Sequence, residues 1–186
     1  MRAFIAIELS PEIRDSLAQT QSHLKYSGAD VKWVNKENVH LTLKFLGEIT
    51  EESSEKIKSI LDEIANSVKP FEISIKDIGA FPKIEFPKVI WAGLDRGAAE
   101  ASVIAGKIDD ALSKVGFQKE SRPFTAHLTI GRVRSLKNKE ALKEKIDSYC
   151  IPDDSNQLIR SITLFQSTLT PKGSIYTKLH ESEFSP

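Results

Sequence analysis

Apolar and polar positions along the chain change period several times, and each change marks a new element. Phe4, Ile5, Ala6 and Ile7 run together ahead of Ser10-Pro11, which predicts a buried strand, then a helix with Ser as N-cap and Pro in its first position. Ile13, Leu17 and Leu24 recur at helical spacing, so one helix covers Pro11 to about Lys25 and closes at Ser27-Gly28. After a short extended piece from Val31 to Val34, the residues Val39, Leu41, Leu43 and Phe45 alternate with His40, Thr42 and Lys44. That period of two predicts a strand with one apolar and one polar face, so His40, Thr42 and Lys44 are expected to point the same way.

Thr50 ahead of Glu51 and Glu52 predicts the capped start of a second helix, with Ile57, Ile60, Leu61, Ile64 and Val68 inward and Pro70 beyond its end. Phe71, Ile73 and Ile75 alternate with polar residues, and Pro87 to Leu94 is an apolar run, so a hairpin with its connection at Ala80 to Phe86 is expected. A third helix is expected from Ala98 to Val115, ended by Gly116. A second strand of mixed character opens at Thr125, followed by a polar helix from about Asn138 to Tyr149 with Leu142 and Ile146 inward. Strands at Leu158 to Ser167 and Ser174 to His180 complete the prediction.

The order contains a crude duplication. His40-Leu41-Thr42-Leu43 returns as His127-Leu128-Thr129-Ile130, each on an expected strand that a helix follows. Hairpins and amphipathic helices together predict an α+β fold, with antiparallel sheets and helices on their outer faces.

A length of 186 residues suits one domain, or one domain built of two similar lobes. With 26 basic and 26 acidic side chains the net charge is zero. This removes the broad attraction that holds a protein along a long nucleic acid, so any nucleic-acid substrate is expected to be gripped locally, near an end. The single cysteine, Cys150, excludes an internal disulfide framework and a cysteine-based zinc site; it is expected to be a small buried or edge residue. No apolar run approaches the roughly 18 residues needed to span a bilayer. The residues from Met1 to Leu9 do not read as a cleavable leader, and a cytoplasmic protein is expected.

Two imidazoles facing one cleft can hold opposite protonation states near neutral pH, one taking a proton while the other gives one. Cleavage of a phosphodiester needs that pair, because water must lose a proton as it attacks phosphorus and the departing oxygen must gain one. Thr42 and Thr129 follow their histidines by two residues, on the same strand face, where a hydroxyl can donate to a phosphate oxygen. Lys44 shares the expected face in the first copy. In the second copy strict alternation sends Arg132 to the side of Leu128 and Ile130, and a bulge at Gly131 would return it to the cleft as a phosphate ligand. His23, expected at the surface near the end of the first helix, and His180, on the last strand among charged neighbours, lie outside the repeats and are not expected to be catalytic. Tyr176 and Phe124 are candidates to stack on a base, with core packing favoured for Phe124. No ligand set for a metal and no Gly-x-x-x-x-Gly-Lys phosphate loop is present, so no cofactor is expected.

The two His-x-Thr-x tetrads, at residues 40–43 and 127–130, resemble the signature of the 2H phosphoesterase superfamily. The nearest group is the prokaryotic, LigT-like RNA 2',3'-cyclic phosphodiesterases, also called 2'-5' RNA ligases. The likeness extends to Phe4-Ile5-Ala6-Ile7, Lys44-Phe45-Leu46-Gly47, Arg122-Pro123-Phe124 and the stretch from Gly173 to Tyr176. It implies a duplicated bilobal α+β fold over residues 1–186, with two antiparallel sheets flanked by helices and the histidines facing across a central cleft. It further implies metal-independent opening of a 2',3'-cyclic phosphate at an RNA end to a 2'-phosphate, with His40 as proton donor and His127 as proton acceptor, and with ligation as the same reaction reversed. RNA ends are the implied partners; no membrane and no obligatory protein partner is expected, and the protein is expected to be a monomer. Two alternatives stay open: the same chemistry on 2'-5' oligonucleotides or small cyclic nucleotides, and a non-catalytic module that binds RNA ends.

Overall fold

The computed structural model describes residues 1–152, 155–171 and 173–186. The elements in chain order are β1 (Arg2–Ile7), α1 (Pro11–Lys25), β2 (Val31–Trp33), a 3-10 turn (Lys36–Asn38), β3 (Leu41–Glu48), α2 (Glu51–Ala65), β4 (Phe71–Lys83), β5 (Phe86–Leu94), α3 (Ala98–Ser113), β6 (His127–Val133), α4 (Lys139–Asp147), β7 (Asn156–Ile159), β8 (Ser161–Thr170) and β9 (Gly173–Glu183). The capping signals operate as the sequence predicts: Ser10 Oγ accepts from the Ile13 N–H with Pro11 at the helix start, and Thr50 Oγ1 accepts from the Ser53 N–H. The third helix stops at Ser113, short of Val115, and Gly116 beyond it takes a φ of 98°.

The strands form one nine-stranded sheet in the order β7-β4-β5-β6-β3-β1-β8-β9, with β2 added beside β6, and every pairing is antiparallel. Two sheets were expected; the two lobes are instead halves of one sheet, β3-β1-β8-β9 and β6-β5-β4-β7. They are joined where the motif strands meet, at the single paired position Leu41 with Leu128. Both leucines are fully buried, in a core shared with Ile5, Ile7, Ile13, Leu61, Ile104 and Ile130. The helices tie the halves together: α1 packs on β6 and on α4, while α3 packs on β3 and on α2.

Several boundaries shift for physical reasons. The stretch from Ala80 to Lys83 stays in strand β4 despite Pro82, because β7 covers only Phe71 to Ser74 and leaves the far edge of Pro82 without a ladder to interrupt. The segment expected as one strand from Leu158 to Ser167 divides at Arg160, since β7 pairs with β4 at one end of the sheet and β8 pairs with β1 in the other half. Cys150 is exposed. Among the described residues no helix is long and apolar enough to cross a membrane.

The main departure from alternation lies in β3. Val39, Leu41 and Leu43 are buried as expected, but the pairing with β1 steps from Ala6–Thr42 directly to Ile5–Lys44, so Leu43 is the extra residue of a bulge. The phase is thereby inverted: Lys44 is buried at 3% exposure, while Phe45, expected inside, is 65% exposed. Lys44 therefore leaves the cleft face and donates to Asp109 Oδ1 of α3 at 2.6 Å and to the Gln118 carbonyl at 3.0 Å, with Glu120 Oε1 at 3.5 Å. Asp109 in turn accepts the Glu120 N–H. Burial would raise the Asp109 carboxyl, but the Lys44 ammonium and the Glu120 N–H outweigh it and hold it below the usual carboxylate range.

Lys44 is thus a fastener between β3 and the chain that leads to β6. Lys44→Ala should lower unfolding free energy by about 3 kcal/mol in urea titrations, because it strands Asp109 and the Gln118 carbonyl, whereas Lys44→Met with Asp109→Leu should recover most of that loss. A single variant as stable as the wild type would overturn the assignment. Because the Asp109 carboxyl is depressed in the folded state, its share of stability is present above the unfolded value of 3.8 and is lost as pH falls through the lower folded value.

Candidate active site

The Leu41–Leu128 pair sets the site's geometry. In antiparallel register, the neighbours of such a pair face each other, so His40 lies opposite Thr129 and Thr42 opposite His127, on the sheet face turned away from the leucines. A rise of about 3.4 Å and a strand spacing of about 4.8 Å put the two histidine Cα atoms about 8 Å apart on the diagonal. All four side chains are half-buried and line one cleft of about 790 Å³.

Each imidazole is held in the same way. His40 Nδ1 lies 2.8 Å from the Asn38 carbonyl, and His127 Nδ1 lies 2.7 Å from the Thr125 carbonyl. A carbonyl oxygen only accepts, so Nδ1 carries the proton in both rings and Nε2 is the atom left to exchange protons with a ligand. Aromatic rings fix the orientation. Phe4 stacks on His40 at 4.7 Å between centroids, with Phe165 behind Phe4 at 5.3 Å. In the other half Phe81 meets His127 edge-on at 5.1 Å, with Trp91 behind Phe81 at 5.2 Å. Trp91 fits there because its strand partner is Gly79, where a Cβ would sit 2.3 Å from the indole.

The surroundings of the two rings differ. Burial pushes the His40 imidazole down to about 4; the hydrogen bond to Asn38 opposes this and the Arg14 charge adds to it. His40 is therefore neutral at pH 7. Tyr176 meets His40 edge-on at 5.2 Å, so it stands in the cleft beside the ring. Phe124 packs against the edge of the core while also lining an adjoining lobe of about 620 Å³, together with Phe45, Phe81 and Arg122. This lobe shares Thr42, His127, Thr129 and Arg132 with the main cleft.

Arg132 reaches the cleft by a bulge, expected at Gly131 and lying one residue earlier. The pairing of β5 with β6 steps from Ile90–Gly131 to Trp91–Thr129, which leaves Ile130 extra, so Ile130 and Gly131 are both buried and Arg132 is exposed. The two motif strands thus carry the same irregularity, and Phe45 occupies in one the place that Arg132 occupies in the other. Gly131 is needed for close approach, since a Cβ there would come within 2.8 Å of Val31 and 3.1 Å of Trp33. His180 bonds Asp62 and His23 packs on Tyr149; neither lines the cleft. Among the described residues no three His, Cys, Asp or Glu side chains converge in a set able to hold a metal ion.

Sequence reasoning missed Phe4, Phe81, Arg14 and Lys32. Phe4 reads as a strand residue, Phe81 as part of the hairpin connection and Arg14 as an ordinary helix charge; nothing local reveals that Phe4 stacks on His40, that Phe81 meets His127 or that Arg14 lines the cleft. The carbonyls of Asn38 and Thr125 had a readable signal, their equal spacing two residues before each histidine.

Comparison with known proteins identifies the family. The model of the LigT like phosphoesterase family matches twice, at residues 7–91 and 94–176, once for each motif. A Methanocaldococcus jannaschii protein named RNA 2',3'-cyclic phosphodiesterase is 42% identical over 97% of this chain and 99% of its own. A like-named protein of Archaeoglobus fulgidus is 38% identical over 98% of this chain and all of its own. The crystal structure of E. coli LigT complexed with 3'-AMP superposes with a TM-score of 0.83 at 22% identity, covering all of this chain and 98% of that one, which bears on the fold. With both family matches centred on the strands that meet at Leu41 and Leu128, the chain belongs to the LigT-like phosphoesterase family.

Proposed function

We propose that the protein is an RNA 2',3'-cyclic phosphodiesterase that opens a terminal 2',3'-cyclic phosphate to a 2'-phosphate by two-histidine acid–base catalysis. The observation that carries this reading is the twofold repetition of one geometry: a histidine with Nδ1 fixed by a backbone carbonyl, Nε2 free, and a threonine hydroxyl two residues on. The names of the relatives at 42% and 38% identity supply the substrate.

In the reaction, His127 Nε2 takes a proton from water as the water oxygen bonds to phosphorus. The bond from phosphorus to O3' breaks, and His40 Nε2 delivers a proton to the departing oxygen. Thr42 and Thr129 donate to the non-bridging oxygens as their charge grows. The cycle ends with His127 protonated and His40 neutral, and exchange with solvent restores the starting states. His40 has to acquire its proton together with the substrate, because burial by the protein alone favours its neutral form. The negative phosphodiester provides the opposite charge that raises it.

A second reading is favoured by the adjoining lobe. With Phe45, Phe81 and Arg122 around it, this space takes a nucleoside on the side of His127 where water would enter, so a 5'-hydroxyl can replace water and form a 2'-5' bond. Joining of an RNA ending in a cyclic phosphate to one beginning with a 5'-hydroxyl tests this directly, and absence of any joined product at high RNA concentration would remove it.

An oligoribonucleotide ending in a 2',3'-cyclic phosphate should yield the 2'-phosphate isomer in excess EDTA, as read by chromatography against both standards. A 3'-phosphate product would reverse the leaving group. His40→Ala and His127→Ala should each lower kcat roughly 10²- to 10⁴-fold with the fold retained, and Thr42→Ala or Thr129→Ala should lower it less. Substantial turnover in either histidine variant refutes the paired mechanism.

Binding of the 2'-phosphate product should be linked to proton uptake. His40 titrates at about 4 in the free protein and higher in the complex, so affinity should rise as pH falls through the bound value and level off below about 4. Calorimetry at pH 6 in buffers of different ionisation enthalpy measures the uptake, which His40→Asn should reduce. Equal uptake in both proteins would exclude His40 as the proton donor.

A further inference from the structure

Asn38 ends the 3-10 turn ahead of β3, and this turn is anchored to α1: Glu37 accepts from Arg14 at 3.2 Å, and Lys36 donates to Asp15 at 2.6 Å. Within the turn the Asn35 side chain accepts the Glu37 N–H, and the Asn35 carbonyl accepts the Asn38 N–H at 2.8 Å. Bonds of this local kind fix the backbone of a short segment. Asn38 then makes two bonds beyond the turn. Its carbonyl accepts from His40 Nδ1 at 2.8 Å, and its side-chain Nδ2 donates to the Ser174 carbonyl of β9, also at 2.8 Å.

The bond to β9 bears on His40 from a second side. Tyr176 lies two residues beyond Ser174 on that strand, and its ring meets His40 edge-on at 5.2 Å and Phe4 at 4.9 Å. One residue thus holds the imidazole through its main chain, and through its side chain holds the strand that brings Tyr176 to the ring. The duplicated fold supplies a contrast. The residue equivalent to Asn38 is Thr125, whose carbonyl holds His127 in the same way but which is exposed and lines the adjoining lobe. Any residue offers a carbonyl, so the bond to Nδ1 does not explain an asparagine at position 38. What its carboxamide reaches does.

We propose that Asn38 is a positioning residue for His40: its side chain clamps β9 against the turn, so that Tyr176 stays seated on the imidazole and Nε2 keeps one direction. The catalytic consequence rests on the reading of His40 as proton donor, whereas the clamp is tested on the free protein. Burial holds His40 at about 4, and Tyr176 is one of the rings that bury it. Loss of the clamp should admit water to the ring and raise it toward the ordinary 6.5. The charged groups that share the cleft are Arg14, paired with Glu37; Glu8, paired with Lys178; and Lys32 and Arg132. Asn38 carries no charge, so replacing it removes none of these, and a shift of His40 reports its exposure.

The experiment is an NMR titration of the imidazoles in the free wild type, Asn38→Ala, Tyr176→Ala and the double variant. Asn38→Ser, which also lacks the carboxamide, takes the place of Asn38→Ala if that protein does not fold. Asn38→Ala should raise His40 by about one unit and leave His127 in place. Tyr176→Ala should raise His40 at least as far, and the double variant should match it, because Asn38 acts through that ring. An unmoved His40 in Asn38→Ala, equal shifts of both histidines, or additive shifts in the double variant overturn the proposal. Hydrolysis of an oligoribonucleotide ending in a 2',3'-cyclic phosphate is measured in parallel, and Asn38→Ala should lower kcat about tenfold with KM changed by about twofold or less. A selective His40 shift with kcat unchanged upholds the clamp and removes His40 from the rate-limiting proton transfer. The same shift with no hydrolysis by the wild type upholds the clamp and removes the hydrolase reading.

Discussion

One contact organises this molecule: the antiparallel pairing of the two motif strands at Leu41 and Leu128. Both leucines are fully buried, so the pair holds the halves of the sheet together from the core side. Antiparallel pairing of two similar strands generates a local twofold relation, and this turns a repeat in sequence into a symmetric set of His and Thr side chains. A one-residue slip would bring the histidines and threonines to the core face and the leucines to the cleft. The helices guard against such a slip, because α1 and α3 each lie on the motif strand of the half to which they do not belong.

On this frame, symmetry supplies the parts and its breaking makes the two sides of the cleft differ. Both imidazoles are fixed through Nδ1 and backed by two aromatic rings, yet only His40 has Phe4 stacked face-on and Tyr176 at its edge. The same bulge brings Phe45 to the cleft in one strand and Arg132 in the other. At the buried position before it, Lys44 binds Asp109 in the first copy, while Gly131 makes way for Trp33 in the second. Two equivalent sites have thus diverged into an aromatic side and a cationic side around a common centre.

Much of this was legible in the chain. Helix starts at Ser10 and Thr50 depend on contacts within one turn, and the alternation through His40 and Thr42 depends on the pleat of a single strand; both are local, so residue order suffices. The repetition of His-x-Thr singled out the four side chains that line the cleft from the motif strands, and the bulge that would bring Arg132 to it, expected at Gly131, falls at Ile130. Lys44 was misplaced because a bulge costs little locally and is decided by the partner strand: β1 pairs Ile5 with Lys44, and Asp109 lies 65 residues further on to receive the charge. Phe4, Phe81 and Lys32 were invisible as site residues for the same reason: Phe4 and Phe81 back the histidines, and Lys32 lines the cleft, from neighbouring strands that the sequence does not name.

By itself, then, the sequence determined the α+β class, the helix caps, the two His-x-Thr strands and the chemistry that paired imidazoles permit. Only the tertiary structure decided that one sheet joins both halves, that Phe45 faces the cleft in place of Lys44, that burial holds His40 at about 4, and that Lys32 stands beside Arg132. The division follows from range. Periodicity and capping are set by residues a few positions apart, whereas register, bulges, desolvation and charge pairing are set by strands and helices that meet only when the chain has folded.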